Sequence, residues 1–153
     1  MIYIIAPGPL KYPFVKEGLN YFLARISHWV KIEAKFPRVK RSYENREARL
    51  KVEEEALRKA LPKETYLILL DERGERLSTK ELSTFLQEKL TLHKNLTFLV
   101  GGPEGISPSL KEEATFWLSL SPLTLNHEIA LLVLAEALYR AISLLKGHPY
   151  HRE

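Results

Sequence analysis

Residues able to do chemistry gather in two stretches of this chain. The first is LTFLVGGPEGIS, residues 96–107, where an apolar run meets Gly101, Gly102 and Gly105, three of the seven glycines. Glycines at a strand end let backbone approach a ligand closely or let the chain turn where a side chain would not fit. The stretch matches neither the G-x-x-x-x-G-K-[ST] nor the G-x-G-x-x-G pattern, and it carries a carboxylate, Glu104, where a phosphate loop carries lysine. The second is the terminal HPYHRE, residues 148–153, which has no core-forming pattern. A plain terminus of that kind is disordered. A phenol, an imidazole and a guanidinium in a row can instead stack on a base, move a proton and hold a phosphate, which makes Tyr150, His151 and Arg152 candidates.

Glu136 and Arg140 interrupt a strongly apolar segment and stand four apart, so they share one helix face. They read either as an ordinary ion pair or as an arginine held by glutamate to meet RNA or a partner's site. His127, near the start of that segment, reads as structural. Metal chemistry is not expected: cysteine is absent and the five histidines show no H-E-x-x-H spacing.

Charge is uneven. Residues 1–60 hold 13 Lys/Arg against 7 Asp/Glu, and residues 61–153 hold 10 against 12. A basic first part suggests a polyanionic partner, with Lys35, Arg38, Lys40 and Arg41 as the contacts to a phosphate backbone; the alternative is a solvated charge run. The 153 residues, 45% of them apolar, suit one domain spanning 1–153. The longest apolar run, Ile129 to Ala135, is far short of the roughly 20 residues that span a bilayer, so no membrane partner is expected. The opening MIYIIAPGPL lacks the basic start of a secretory leader, and a cytoplasmic location is the expectation.

The elements that must position these residues alternate. Apolar or alternating runs at 1–6, 30–36, 65–71, 96–100 and 115–121 predict strands, the third followed by a turn at Gly74. Helical spacing predicts helices over 13–27 and 44–61, from Ser78 or Thr79 through Leu90, from Ser107-Pro108, and from Asn126 to about Lys146, where Gly147 ends the last. The pattern predicts an α/β fold, a mostly parallel five- to six-stranded sheet with helices on both faces. IALLVLA is apolar all round and needs cover on two faces, from the sheet and either the first helix or a second copy of the chain; the homodimer is the simpler reading.

In open α/β sheets ligands sit at the carboxyl ends of strands. LLDERG (69–74), VGGPEG (100–105) and SLSPLTLNH (119–127) all fall there and can line one pocket of backbone groups and apolar side chains, poor in cations. Such a pocket suits a ligand without phosphate, of which S-adenosylmethionine is one.

LVGGPEGIS, SLSPLTLNH, AEALYRA and HPYHRE stand in the order and spacing of the RlmH family, and the chain resembles these SPOUT-superfamily enzymes along its whole length. The resemblance implies methylation of N3 of a pseudouridine in large-subunit (23S) ribosomal RNA, on the assembled ribosome. It also implies S-adenosylmethionine as cofactor, a C-terminal trefoil knot and an obligate homodimer. Cofactor contacts implied by the match are Leu70, Gly102 and the segment Ser121, Pro122, Leu123, Thr124, Leu125 and Asn126. The family usually has proline where this chain has Asn126, which leaves a cofactor contact by that side chain open. His151 and Arg140 become candidates for proton removal and anion stabilisation, and Tyr150 for orienting the base. Methylation of another RNA, such as transfer RNA or an unmodified uridine, and a non-catalytic ribosome-binding protein are the alternatives.

Overall fold

The computed structural model describes residues 1–39 and 45–152. Five strands, β1 (Ile2–Ile5), β2 (Ile32–Lys35), β3 (Tyr66–Arg76), β4 (Leu96–Leu99) and β5 (Phe116–Ser119), alternate with five helices. These are α1 (Pro13–Ile26), α2 (Arg46–Ala60), α3 (Thr79–Leu92), α4 (Pro108–Glu113) and α5 (His127–Leu145). The strands form one sheet in the order β2-β1-β4-β3-β5, and every pairing between these strands is parallel. All five carboxyl ends therefore share one edge.

Strand periodicity divides the core. Ile2, Ile4, Ile68, Leu96 and Phe98 face α1, α3 and α5, while Ile5, Leu67, Leu69 and Leu99 face α2 and α4. Helices thus cover both faces, as the apolar strands predict. Local sequence starts the helices where expected. Asn45 caps α2 through Ala48 N–H at 2.7 Å, Ser78 and Glu81 close a capping box on α3, and Ser107 with Pro108 opens α4. Gly147 ends α5 at φ +67°, with the His148 N–H donating back to the Ser143 carbonyl at 2.9 Å.

Two expectations change. The third strand does not end in a turn at Gly74: it runs to Arg76, with a register shift against β5 between Leu70 and Glu75. Glycine is required there because a Cβ at Gly74 would lie 2.5 Å from the Trp117 carbonyl. The apolar α5 finds much of its cover inside the chain. It lies against the sheet and is flanked by α1, where Gly18 lets Leu132 approach, and by α3, where the Ser83 hydroxyl donates to the Ala141 carbonyl at 2.6 Å. Val133 remains 38% exposed.

Glu128 shows how the start of α5 fixes the start of α1. Its buried carboxylate accepts the backbone N–H groups of Lys11 at 2.8 Å and Tyr12 at 3.0 Å, so it caps a helix whose own N-cap residue, Tyr12, supplies no side-chain bond. Glu128→Ala leaves two donors unpaired and is expected to cost about 3 kcal/mol in denaturant unfolding, with Glu128→Gln losing less. Equal stability of both variants and the wild type would contradict this role.

Candidate active site

Two of the predicted chain reversals meet at a stretch of the third strand. A cavity of about 380 Å³ opens at the carboxyl edge, lined by Leu69 to Arg73 of β3, where its register against β5 shifts, by Val100 to Gly102 and Gly105 after β4, and by Leu120, Ser121 and Leu123 to Leu125 after β5. Of the residues expected at the cofactor, Leu70, Gly102, Ser121, Leu123, Thr124 and Leu125 line it, whereas Pro122 and Asn126 lie outside its lining. Asn126 is occupied as a cap, its Oδ1 accepting the Glu128 N–H at 2.9 Å and the Ile129 N–H at 3.4 Å. The loop is tied by Ser121 Oγ, which accepts the Leu123 N–H at 2.9 Å, and by the Thr124 hydroxyl, which donates to Glu72 at 2.6 Å.

The cavity is not as poor in cations as its sequence suggests. Arg73 and Lys111 line it with Asp71 and Glu72, so its fixed charges balance. Arg73 and Asp71 form a two-pronged pair at 3.0 and 2.9 Å, and the guanidinium holds the Asp71 carboxyl below its ordinary range. His127, read from sequence as structural, also lines the cavity.

The glycine turn is shaped first by its own packing. Gly105 sits at φ +86°, a region other residues avoid, and a Cβ at Gly101 would lie 2.8 Å from the Gly105 carbonyl carbon. Helix α2 grips the turn from outside the cavity. Arg49 holds Glu104, with Nε at 3.1 and 2.9 Å from its two oxygens, and Arg46 donates to the Glu104 carbonyl at 3.1 Å. Glu53 accepts the Gly102 N–H, and burial pushes its carboxyl up; its Oε1 is buried without a hydrogen-bond partner. Glu54 accepts from the hydroxyls of Ser107 and Ser109 and pairs with Arg58 at 2.9 Å. The sequence offered no signal for this grip, because α2 reads as a charged amphipathic helix whose polar side chains have no assigned partners.

A second cluster forms around the tail. Glu136 Oε1 accepts from Arg140 Nε at 2.8 Å and from the Tyr150 hydroxyl at 3.4 Å, and Arg140 lies 4.8 Å from the Tyr150 ring centroid. Arg140 also donates to Nδ1 of His151 at 3.3 Å, since a guanidinium can only donate. Tyr150 packs on Tyr139 at 4.4 Å, and His148 on Trp29 at 5.3 Å. Burial, then Glu136, raises the Tyr150 phenol, which stays a neutral donor. The tail that a composition argument leaves disordered is therefore docked on α5 and on Trp29, just beyond α1. Arg140 stands ten residues beyond Ala130, the last cavity residue on α5, or about 15 Å along the helix. Structure thus joins Arg140, Tyr150 and His151 to one another and not to the cavity of their own chain.

The basic segment is divided. Arg38 is exposed, but Lys35 turns to the opposite face, donates to the Ala60 carbonyl at 3.2 Å and lies over the Tyr3 ring. Lys40 and Arg41 lie outside the described residues.

Fold and cavity define an α/β protein with a cavity open at the carboxyl edge of a parallel sheet, the edge where such sheets take ligands. The family model described as "Predicted SPOUT methyltransferase" matches residues 1–151. Proteins named ribosomal RNA large subunit methyltransferase H are similar over their whole length. That of Stenotrophomonas maltophilia (strain K279a) is 38% identical over 151 residues, 97% of each chain. Those of Dictyoglomus thermophilum, at 38% over 98% of each chain, and Thioalkalivibrio sulfidiphilus, at 39% over 99%, are alike in extent. The chain belongs to the SPOUT methyltransferase family.

The grip of α2 has a pH signature. The serine hydroxyls and then Arg58 lower the Glu54 carboxyl from 4.5 to about 2. The unfolded chain therefore takes up this proton first as pH falls, and the stabilisation is full above about 4.5 and lost toward 2. Glu54→Gln is expected to cost about 1 kcal/mol at neutral pH, after solvent screening, with the difference vanishing near the lower value. A pH-independent difference in unfolding free energy would contradict it.

Proposed function

We propose that this methyltransferase uses S-adenosylmethionine to methylate N3 of a pseudouridine in large-subunit ribosomal RNA, working in the cytoplasm on the assembled ribosome as a knotted homodimer. One observation carries the reading: the loops after β4 and β5 and the irregular stretch of β3 build one cavity of about 380 Å³ in a methyltransferase-family chain. The full-length likeness to proteins named for ribosomal RNA methylation supplies the substrate.

The cavity residues fit such a cofactor. Leu70, Val100 and Leu120 offer apolar walls, Gly102 and Gly105 bring backbone to the surface, and the balanced charges of Asp71, Glu72, Arg73 and Lys111 match a ligand that carries both signs. Leu70, Gly102, Ser121 and Leu123 to Leu125 would hold it, with Pro122 and Asn126 shaping the loop. Bound there, the cofactor supplies a methyl group activated by a sulfonium.

The chain's own work is to position the base and manage one proton. N3 of pseudouridine carries a proton that must leave before or during attack. Arg140 stabilises the resulting anion, and Tyr150 orients the ring. His151 can accept the proton at Nδ1 only when Arg140 releases it, so arrival of the base at Arg140 exposes the acceptor. Because the tail cluster stands about 15 Å along α5 from the cavity of its own chain, it serves the cavity of a second copy. Arg152 and Arg38, with Lys40 and Arg41, hold RNA phosphates; Lys35, turned toward α2, is the weakest of the set.

Calorimetry is expected to show S-adenosylmethionine binding in the wild type and in Arg140→Ala and His151→Ala. Methyl transfer to ribosomes lacking the modification should fall by about 10²–10⁴ in both variants. Mass mapping of the modified nucleotide, with pseudouridine and uridine at the target, separates this substrate from the other RNAs. Absence of cofactor binding in the wild type would support the non-catalytic alternative, and wild-type rates in both variants would remove the catalytic roles.

A further inference from the structure

A second cavity, of about 460 Å³, opens at the same edge of the sheet, between α1 and the ends of β1 and β2. Its size falls within the usual range for small-ligand sites. Leu19, Leu23 and Ala34 form an apolar floor, and Phe36 presents a ring at the wall. Lys16, Asn20 and Arg38 stand exposed around it. Neither cation makes an ion pair with a carboxylate among the described residues. The ladder between β1 and β2 continues past both strands, with Gly8 N–H donating to the Pro37 carbonyl at 2.9 Å, so the segments carrying Leu10 and Arg38 are held in place.

We propose that this cavity takes an unpaired nucleotide of the substrate RNA, one other than the nucleotide that is methylated. The inference rests on the proposed function. Its parts match what single-stranded RNA recognition needs: an aromatic face for stacking, an amide for a base edge and cations for the flanking phosphates. Charge argues for RNA over an apolar peptide or a second protein copy, because two cations without an ion pair among the described residues ring an apolar floor within the basic part of the chain. Position agrees. The strand order places this cavity at β2 and β1 and the cofactor cavity at β4, β3 and β5, so a strand of RNA laid along one edge meets both.

The site makes no contact with the reacting atoms, so filling it should change substrate binding and not the chemical step. Asn20→Trp places a bulky ring at the mouth from an exposed helix position, and Lys16→Glu reverses one phosphate contact. With the full chain and ribosomes lacking the modification, each variant is expected to raise KM about tenfold, the scale of one stacked base. Expected kcat and S-adenosylmethionine affinity stay within twofold of the wild type. Unchanged KM in both variants overturns the proposal. So does a parallel loss of cofactor affinity, which would make the cavity structural, or an altered dimer dissociation constant, which would give it to a protein interface. Cosedimentation with the same ribosomes reads binding without catalysis. A wild type that cosediments but transfers no methyl group would defeat the proposed activity alone, while weaker cosedimentation of Asn20→Trp would still support the cavity.

Discussion

The working edge depends on the burial of β4. Its four residues are all buried, and it lies between β1 and β3 at the centre of the sheet. A strand covered on both faces can shed no hydrogen bond to water, so its ladder and register are fixed on both sides. Leu99 pairs with Ile5 and with Leu69, which brings the ends of β1 and β4 level with Leu69 of β3. The glycine turn leaves the centre of the sheet, and the register shift of β3 stands beside it.

Such a turn is soft by composition, since glycine has the most conformational freedom to lose. Helix α2 removes that freedom with four side chains, Arg46, Arg49, Glu53 and Glu54, spread over nine residues of one helix. The grip is not free of cost. Glu53 is pushed toward protonation by burial and leaves one oxygen without a partner. Pro7 and that carboxylate together crowd Gly102, where a Cβ would meet Pro7 Cγ at 3.1 Å and Glu53 at 3.2 Å. The glycines therefore serve the turn and its grip as much as any ligand.

The sequence made visible whatever depends on local pattern. Strands buried on both faces read as apolar runs, caps at Ser78, Ser107 and Asn126 read as helix starts, and the four-residue spacing of Glu136 and Arg140 gave their contact. Features set by distant pairing stayed hidden. Strand order comes from crossovers, and the capping of α1 by Glu128 joins residues more than a hundred positions apart. The continuation of β3 through Gly74 depends on backbone contact with Trp117 that no local turn signal reports. Lys35 was grouped with Arg38 by proximity in sequence, yet strand alternation sends it to the opposite face. Arg140 and His151 meet only because the chain doubles back after Gly147.

That doubling back decides how the tail can act. Six residues from Gly147 to Arg152, fully extended, span about 20 Å, so a freed tail has the length to reach the cavity of its own chain about 15 Å away. Reach is not enough. Such a tail would leave the Tyr139 and Trp29 rings, each aromatic contact carrying about 0.5–1.5 kcal/mol beyond its buried area. It would also leave Arg140 behind, because Arg140 is fixed in a helix covered by the sheet, α1 and α3. His151 and Tyr150 would arrive without the guanidinium and carboxylate that organise them. A second copy of the chain can present all four groups as one rigid unit at no such cost. If these groups act together on one base, the helix that holds them apart from their own cavity makes two chains the smallest complete catalyst.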